Sequence, residues 1–262
     1  MEIELLTGRR ILFWLSILSL VCLNLSCGGN NSSAAQRSGG DSLIKTRNDT
    51  ALSLTGVWVN KAYLDTLLAT GSPRAAISAA REPCIEFRSD TDKYAHIVFN
   101  FHEGEDEKIL QKGGKYTMGD SGEIMALSPE EIRIGHQYFV RFKHPDREKY
   151  DYNIVEELLF AGNYQLENGA KVSFSGDGRV YGLDSMKYFT PNVDYIGPGL
   201  DVDQLWLGMD SDVYKSPKYA FKFISDTLLL YKLNCLEGYD STDNSCGVVD
   251  FGQLKWKLIR KK

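Results

Sequence analysis

Acidic side chains and two histidines lie close together near residue 100, in a combination that could hold a divalent cation. Residues 101–107 contain one imidazole and four carboxylates: His102, Glu103, Glu105, Asp106 and Glu107. His96 and Asn100 lie an even number of positions before His102, so an extended strand places these three side chains on one face. Nitrogen and oxygen donors of this kind bind metals. The spacing matches no paired-ligand motif such as HExxH, so we interpret the segment as a solvated hairpin, with a metal site or a polar ligand wall as alternatives.

Two further patterns could carry chemistry. Residues 119–122 (GDSG) resemble the nucleophile turn of chymotrypsin-like proteases, which also needs a base histidine and an orienting carboxylate. The upstream histidines lack that family's sequence context, so we predict a β-turn. A second acidic set has no EF-hand spacing and is interpreted as ordinary loop acidity: Asp201, Asp203, Asp210 and Asp212. We therefore predict a protein without catalytic residues, metal or cofactor.

Aromatic side chains could stack on a sugar or a lipid, although core packing is their usual role in a β-rich protein. The ones considered are Trp58, Tyr164, Tyr181, Tyr188, Trp206 and Trp256. We take Trp206, together with His96, Asn100 and His102, as the candidate ligand contacts.

The N-terminal segment has the pattern of an export signal. Arg9 and Arg10 precede an apolar run over 11–23, which fits a signal-peptide core and is too short to span a bilayer. The sequence Asn24-Leu25-Ser26-Cys27 then resembles the lipobox of bacterial lipoproteins, although the family prefers Leu at position 24 and a small residue at position 25. The alternatives are ordinary secretion with cleavage near Ser26 and an uncleaved anchor.

The lipoprotein resemblance implies a signal peptide over 1–26 and lipidation of Cys27 by acyl chains such as palmitate. Residues 27–51 are rich in Gly, Ser and Asn and would form a flexible tether. The family uses Asp after the lipidated cysteine for inner-membrane retention. This chain has Gly28 there, so the resemblance implies a cell-envelope protein held by its lipid anchor, at the outer membrane if the cell has one.

Three other cysteines remain in the chain. Cys235 and Cys246 flank a polar, turn-rich loop, and an exported protein can join them in a disulfide; two free buried thiols are the alternative. Cys84 enters a predicted strand and is expected to be a small core residue. No CxxC pair or Cys/His cluster indicates zinc.

Composition and periodicity indicate a mainly β fold. The 262 residues are 43% hydrophobic and 25% charged, with a net charge of −5 and no basic block, which argues against nucleic acid as a partner. Alternation with period two predicts about 14 to 16 short strands, in an antiparallel meander that forms a barrel or sandwich. Residues 61–80 are the exception, because their Ala-rich composition and Leu spacing predict a short helical insertion.

An internal echo suggests two halves. Residues 54–58 and 160–164 share the form apolar-x-Gly-x-aromatic. The pattern predicts β-rich halves over 52–150 and 158–262, joined by the charged stretch 143–156. One domain over 52–262 is the alternative.

The triplet Gly56-Val57-Trp58 is similar to the Gly-x-Trp start of the first strand in lipocalins. This resemblance implies an up-and-down barrel, one large or two tandem small, with Trp58 closing its base. The anchor, the tether and the barrel together predict a non-enzymatic envelope protein that binds a small apolar or amphipathic ligand, or a partner protein. A structural or assembly lipoprotein without a pocket is the second hypothesis. A hydrolase of envelope polysaccharide or peptide is the third.

Overall fold

The computed structural model describes residues 53–80, 82–99, 103–113, 115–119, 121–143, 154–240 and 246–261. The predictions for the signal peptide, the tether, Cys27, Asn100 and His102 therefore lie outside the described residues. Within these ranges, no helix has the length and apolarity needed to cross a membrane.

The first half forms a closed eight-stranded barrel. Its strands are β1 (Gly56–Asn60), β2 (Cys84–Phe87), β3 (Tyr94–Val98), β4 (Gly104–Lys112), β5 (Lys115–Met118), β6 (Gly122–Ser128), β7 (Glu131–Ile134) and β8 (Gln137–Phe142). Each strand pairs antiparallel with the next along the chain, and β1 pairs with β8 so that Trp58 lies opposite Arg141. This closed meander removes the free sheet edges.

The second half repeats that order of pairing. Its strands are β9 (Gly162–Leu166), β10 (Lys171–Phe174), β11 (Val180–Tyr181), β12 (Tyr188–Pro191), β13 (Gln204–Gly208), β14 (Lys218–Ile224), β15 (Thr227–Glu237) and β16 (Val248–Arg260). Here β9 pairs with β16, and the edge strands β11 and β12 meet at a bridge between Arg179 and Tyr188. We call the two sheets the first and the second barrel. The predicted mainly β fold and its lipocalin-like meander are confirmed.

The predicted helical insertion is a pair of helices between β1 and β2. Helix α1 (Lys61–Thr70) begins at Asn60, whose side chain accepts a hydrogen bond from the Ala62 N–H, and ends at Gly71. Helix α2 (Pro73–Ala79) begins at Ser72, whose hydroxyl accepts from the Ala75 N–H. Both starts follow the usual capping chemistry, in which a side-chain oxygen satisfies a free N–H of the first turn.

Buried apolar side chains fill the interior of the first barrel. Trp58, Ile85, Phe87, Met118 and Phe139 belong to one cluster, and each is at most 1% exposed. The interior is thus a packed core of the kind that small barrels form.

A larger core joins the second barrel to the helices and to one outer face of the first barrel. Tyr63 and Leu67 of α1 belong to it together with Phe221 and Leu258 of the second barrel. Phe160 is fully buried, and its ring centroid lies 5.0 Å from that of Phe221. Cys84, a fully buried free thiol, belongs to the same core, as predicted.

The segment before β9 differs from the prediction, which placed no helix there and assigned 143–156 to a connector. Ile154 and Val155 are buried and helical, and Glu156–Phe160 forms a π-helical turn. The apolar residues of 154–160 recur at helical spacing and pack into the shared core, and this burial, rather than local propensity, stabilises so short a helix.

Candidate functional site

An arginine from the last strand covers the aromatic ring at the start of the first barrel. The Trp58 indole N–H donates to the carbonyl of Leu54 at 2.7 Å, and the guanidinium of Arg141 lies 4.2 Å from the ring centroid. Arg141 also donates to the carbonyls of Ser53 and Thr55. A cation over an indole face is attracted by the ring quadrupole, so this contact ties the chain entering β1 to strand β8.

The second barrel has the same arrangement at the same register. Tyr164 lies opposite Arg260, whose guanidinium is 5.2 Å from the ring centroid and donates to the Tyr164 hydroxyl at 2.6 Å. Burial raises the pKa of Tyr164 above its ordinary value, although Arg260 acts in the opposite direction. Gly56 and Gly162, two residues before each ring, have φ of +128° and +149°, a backbone conformation that favours glycine. The internal echo in the sequence therefore marks equivalent first strands.

A groove lies on the outside of the second barrel, next to this first strand. Neighbouring strands place three outward side chains side by side, because Asn163 pairs with Ser173 and Ser173 pairs with Tyr181. Lys261 extends this row beyond β16, since its backbone N–H donates to the Asn163 carbonyl at 2.8 Å. Gln165 and Lys171 form a second pair beside the first row.

The groove has a volume of about 660 Å³. Its walls are formed by Asn163, Tyr164, Gln165, Lys171, Val172, Ser173, Tyr181, Gly182 and Lys261. Tyr164 and Val172 point into the barrel and are at most 2% exposed, so they contribute mainly backbone to the floor. The side chains that a ligand would meet are two ammonium groups, two carboxamides, one hydroxyl and one phenol.

Several of these groups are available for a ligand. Within the described ranges, no side-chain hydrogen bond or ion pair engages Asn163, Lys171, Ser173 or Lys261, whereas the Gln165 amide donates to the Gly169 carbonyl at 3.0 Å. Tyr181 is 55% exposed. Arg179 lies nearby, and its hydrogen bond with Tyr181 raises the pKa of its guanidinium. The groove is therefore cationic in a chain whose net charge is −5.

His96 and Trp206, two of the predicted ligand contacts, lie on different sheets. His96 is on β3, faces outward, and its Nδ1 lies 2.9 Å from a carboxylate oxygen of Asp106. Trp206 is on β13 and packs its ring against Tyr214 at 5.1 Å, with the Lys218 ammonium 4.9 Å from its centroid. The structure does not bring the two into one site, and their role in binding stays a prediction.

The turn at 119–122 and the acidic residues near 201–212 make ordinary hydrogen bonds and ion pairs. Ser121 donates its hydroxyl hydrogen to a Glu107 carboxylate oxygen at 3.0 Å, in the turn between β5 and β6. Asp201 accepts from the Val249 N–H at 3.0 Å, and Asp212 pairs with Lys215 at 2.7 Å. Among the residues described, no group of three or more His, Cys, Asp or Glu side chains could hold a metal ion.

The predicted disulfide is confirmed. Cys235 near the end of β15 is bonded to Cys246, just before β16, with 5.7 Å between their Cα atoms. The bond closes the far end of the longest hairpin of the second barrel.

Tyr164 and Tyr181 were among the aromatic residues considered for stacking. The polar residues of the groove were missed because outward polar positions on a strand look alike until their neighbours are known. The available signal was the internal echo. It aligns Asn163 with Val57, and a polar residue in place of an apolar one at equivalent positions indicates a different environment.

Comparison with known proteins adds no relative: no family model matches the chain, and no curated protein or solved structure matches it significantly.

Proposed function

We propose that this chain is a lipid-anchored envelope protein, not an enzyme, that binds a small amphipathic ligand in the groove on the outside of its second barrel. The anchor rests on the signal-like segment and on Cys27 in its lipobox-like context. The groove is the observation that carries the binding function, since it combines a ligand-sized concavity with unengaged polar groups.

The outer surface is a better place for a ligand than either barrel interior. Apolar side chains occupy both interiors, and Phe160 adds a further ring to the second one. A ligand inside would have to displace close-packed side chains. Losing the packing of one large core residue costs about 2–5 kcal/mol of stability. The outer groove requires no such rearrangement.

Binding rather than catalysis fits the residues of the groove. Its hydroxyl, Ser173, has no base within hydrogen-bond distance among the described side chains, whereas an activated serine needs one. The lysines are exposed, whereas a nucleophilic lysine is typically desolvated in an apolar pocket.

A second candidate function is assembly through protein contacts. Leu236, Phe251 and Leu254 on the disulfide-closed hairpin are 55%, 37% and 45% exposed. Exposed apolar side chains on one hairpin are of the kind that protein contacts bury.

The first test is the native mass of the protein purified from the membranes of its host in mild detergent. We expect the mass of residues 27–262 plus acyl chains, with a further small molecule bound. In a Ser173→Trp variant, whose indole would occupy the groove, the bound molecule should be lost while the acyl chains remain.

The matched control is Glu86→Trp, which introduces the same indole at the equivalent position of the first barrel and should retain the bound molecule. A mass without acyl chains would refute the anchor. A bound molecule retained equally by both variants would refute the groove.

A further inference from the structure

We propose that the groove recognises an acidic carbohydrate, meaning a sugar oligomer that carries carboxylate groups. This inference rests on the binding function proposed above and names the chemistry of its ligand.

The charge of the groove favours an anion. Lys171 and Lys261 are exposed and have no carboxylate partner in the described part of the chain, whereas Lys257, on the same β16 strand as Arg260, is paired with Glu167 at 2.9 Å. These two uncompensated cations create a local positive potential on an acidic protein, whereas Arg179 nearby is paired with Asp177 at 3.4 Å. Such a patch attracts anions.

The spacing of the two lysines indicates an extended ligand. Lys261 follows β16 and Lys171 begins β10, with β9 between them. Adjacent strands lie about 4.8 Å apart, so the two backbones are roughly 10 Å apart. At this spacing, an oligomer with an acidic group on successive sugars can pair one carboxylate with each lysine.

The groups between the lysines match hydroxyls. Asn163 offers a carboxamide that both donates and accepts hydrogen bonds, and Ser173 offers a hydroxyl that does the same. Tyr181 stands at the end of the row and exposes its ring. An aromatic face can pack against the apolar C–H face of a sugar while its edge stays hydrated.

The same set of side chains argues against a purely apolar ligand. Tyr181 is the one large apolar group that is exposed in the groove, because Tyr164 and Val172 are buried in the barrel wall. An alkyl chain laid along the groove would cover unengaged amide and ammonium groups, and desolvating them without partners is costly.

The experiment is a calorimetric titration of the intact protein in detergent with four probes of defined chemistry. These are a glucuronate tetrasaccharide, a neutral glucose tetrasaccharide, glucose 6-phosphate and inorganic phosphate. We expect the glucuronate oligomer to bind most tightly, and its affinity to fall as salt is raised.

Matched variants locate the interaction. Lys171→Gln/Lys261→Gln should weaken glucuronate binding about tenfold, the sum expected for two exposed charge pairs. Lys112→Gln/Lys222→Gln removes the same charge from exposed strand positions of both barrels and should leave the affinity unchanged. Tyr181→Ala should weaken the neutral and the acidic oligomer by the same factor.

Each other outcome overturns a stated part of the inference. The neutral oligomer could bind as tightly as the glucuronate oligomer and lose affinity in Tyr181→Ala. This result would refute the acidic ligand, but the groove would remain a binding site. Phosphate that binds as tightly as the oligomer would indicate a simple anion site, and glucose 6-phosphate that binds more tightly would refute the carboxylate. If no probe binds and Ser173→Trp also leaves the native mass unchanged, the proposed function itself fails.

Discussion

The two barrels place different side chains at equivalent positions of the same antiparallel strand order. Aligning Trp58 with Tyr164, and Arg141 with Arg260, brings the rest of the register into correspondence. The outward row of the first barrel then matches the groove row of the second barrel: Val57 with Asn163, Glu86 with Ser173, His96 with Tyr181, and Phe142 with Lys261. His96, predicted as a ligand contact, is thus the counterpart of a groove residue.

The difference follows from what covers each face. In the first barrel, Val59 and Cys84 are almost fully buried in the core shared with the helices and the second barrel. Their counterparts in the second barrel, Gln165 and Lys171, line the open groove. The same face is therefore used for internal packing in one barrel and left open, polar and cationic in the other.

Charges differ in the same way. On the first barrel, Asp106 lies 2.9 Å from His96 and 3.9 Å from Arg88, and Arg88 also lies 3.7 Å from Glu86. These groups compensate one another. In the groove, Lys171 and Lys261 have no such partner among the described residues, and this contrast supports the proposal that a ligand binds the second barrel.

We expect the largest effect from placing a lysine on the buried face of the first barrel and an apolar residue on the open face of the second barrel. Cys84→Lys would bury an unpaired ammonium in the shared core and should cost more than about 4 kcal/mol in the free energy of unfolding. Lys171→Val, at the equivalent open position, should change it by less than about 0.5 kcal/mol. Urea unfolding of both variants measures the contrast, and similar losses would contradict the equivalence.

The disulfide restrains a hairpin end of the second barrel. Cys235→Ser/Cys246→Ser should lower the free energy of unfolding by about 2–3 kcal/mol, because the bond links residues separated by 11 positions. Thermal unfolding of the double variant, compared with the oxidised and reduced parent, measures the loss. A reduced parent as stable as the oxidised protein would contradict this account.

The two arginines should differ in their contribution to stability. Arg260→Ala leaves the buried Tyr164 hydroxyl without its charged donor and should cost about 2–3 kcal/mol. Arg141→Ala removes contacts to exposed carbonyls and should cost about 1 kcal/mol. Chemical denaturation, with Arg→Lys at each position as the conservative control, measures both. The reverse order would show that the first barrel depends more on this contact.

The smallest effect concerns Asp203, which joins helix α2 to the segment before β13. Its carboxylate accepts from the Arg74 N–H at 2.9 Å and from the Tyr195 hydroxyl at 3.1 Å. Burial raises the pKa of Asp203 above its ordinary value, although hydrogen bonds from Ser72, Arg74 and Tyr195 act to lower it.

The sign of the pH dependence follows from that shift. The unfolded pKa of an aspartate is about 3.9, so between it and the higher folded pKa the folded state holds the proton more tightly. The contribution of Asp203 to stability therefore falls as pH rises through this window. Unfolding free energies measured across the window should show a smaller decrease for Asp203→Asn than for the parent, and parallel curves would contradict the assignment.

Local chemistry made much of the fold predictable. Alternating side chains located most strands. Asn168-Gly169 is a dipeptide typical of tight hairpin turns, and it lies in the hairpin between β9 and β10, where Gly169 has φ of +87°. The helices at 61–80 and the disulfide followed from composition and cysteine spacing. Each of these signals resides in the segment it describes.

The missed features depend on contacts between distant segments. The turn at 154–160 is helical because it packs into a core built from both halves. Strands β4, β5 and β6 were not distinguished individually, since their outward faces are polar and their turns rich in glycine. The groove needs the register of three strands, and outward polar residues carry no sign of which face stays open.

The most direct test of the open face of the second barrel is lysine footprinting in intact cells and on the purified protein. If the groove is occupied in the envelope, acetylation of Lys171 and Lys261 should be several times slower in cells than after purification. Lys112 and Lys222 should react at the same relative rate in both. Equal reactivity of all four lysines in cells would contradict a ligand in the groove and leave the open face as ordinary solvated surface.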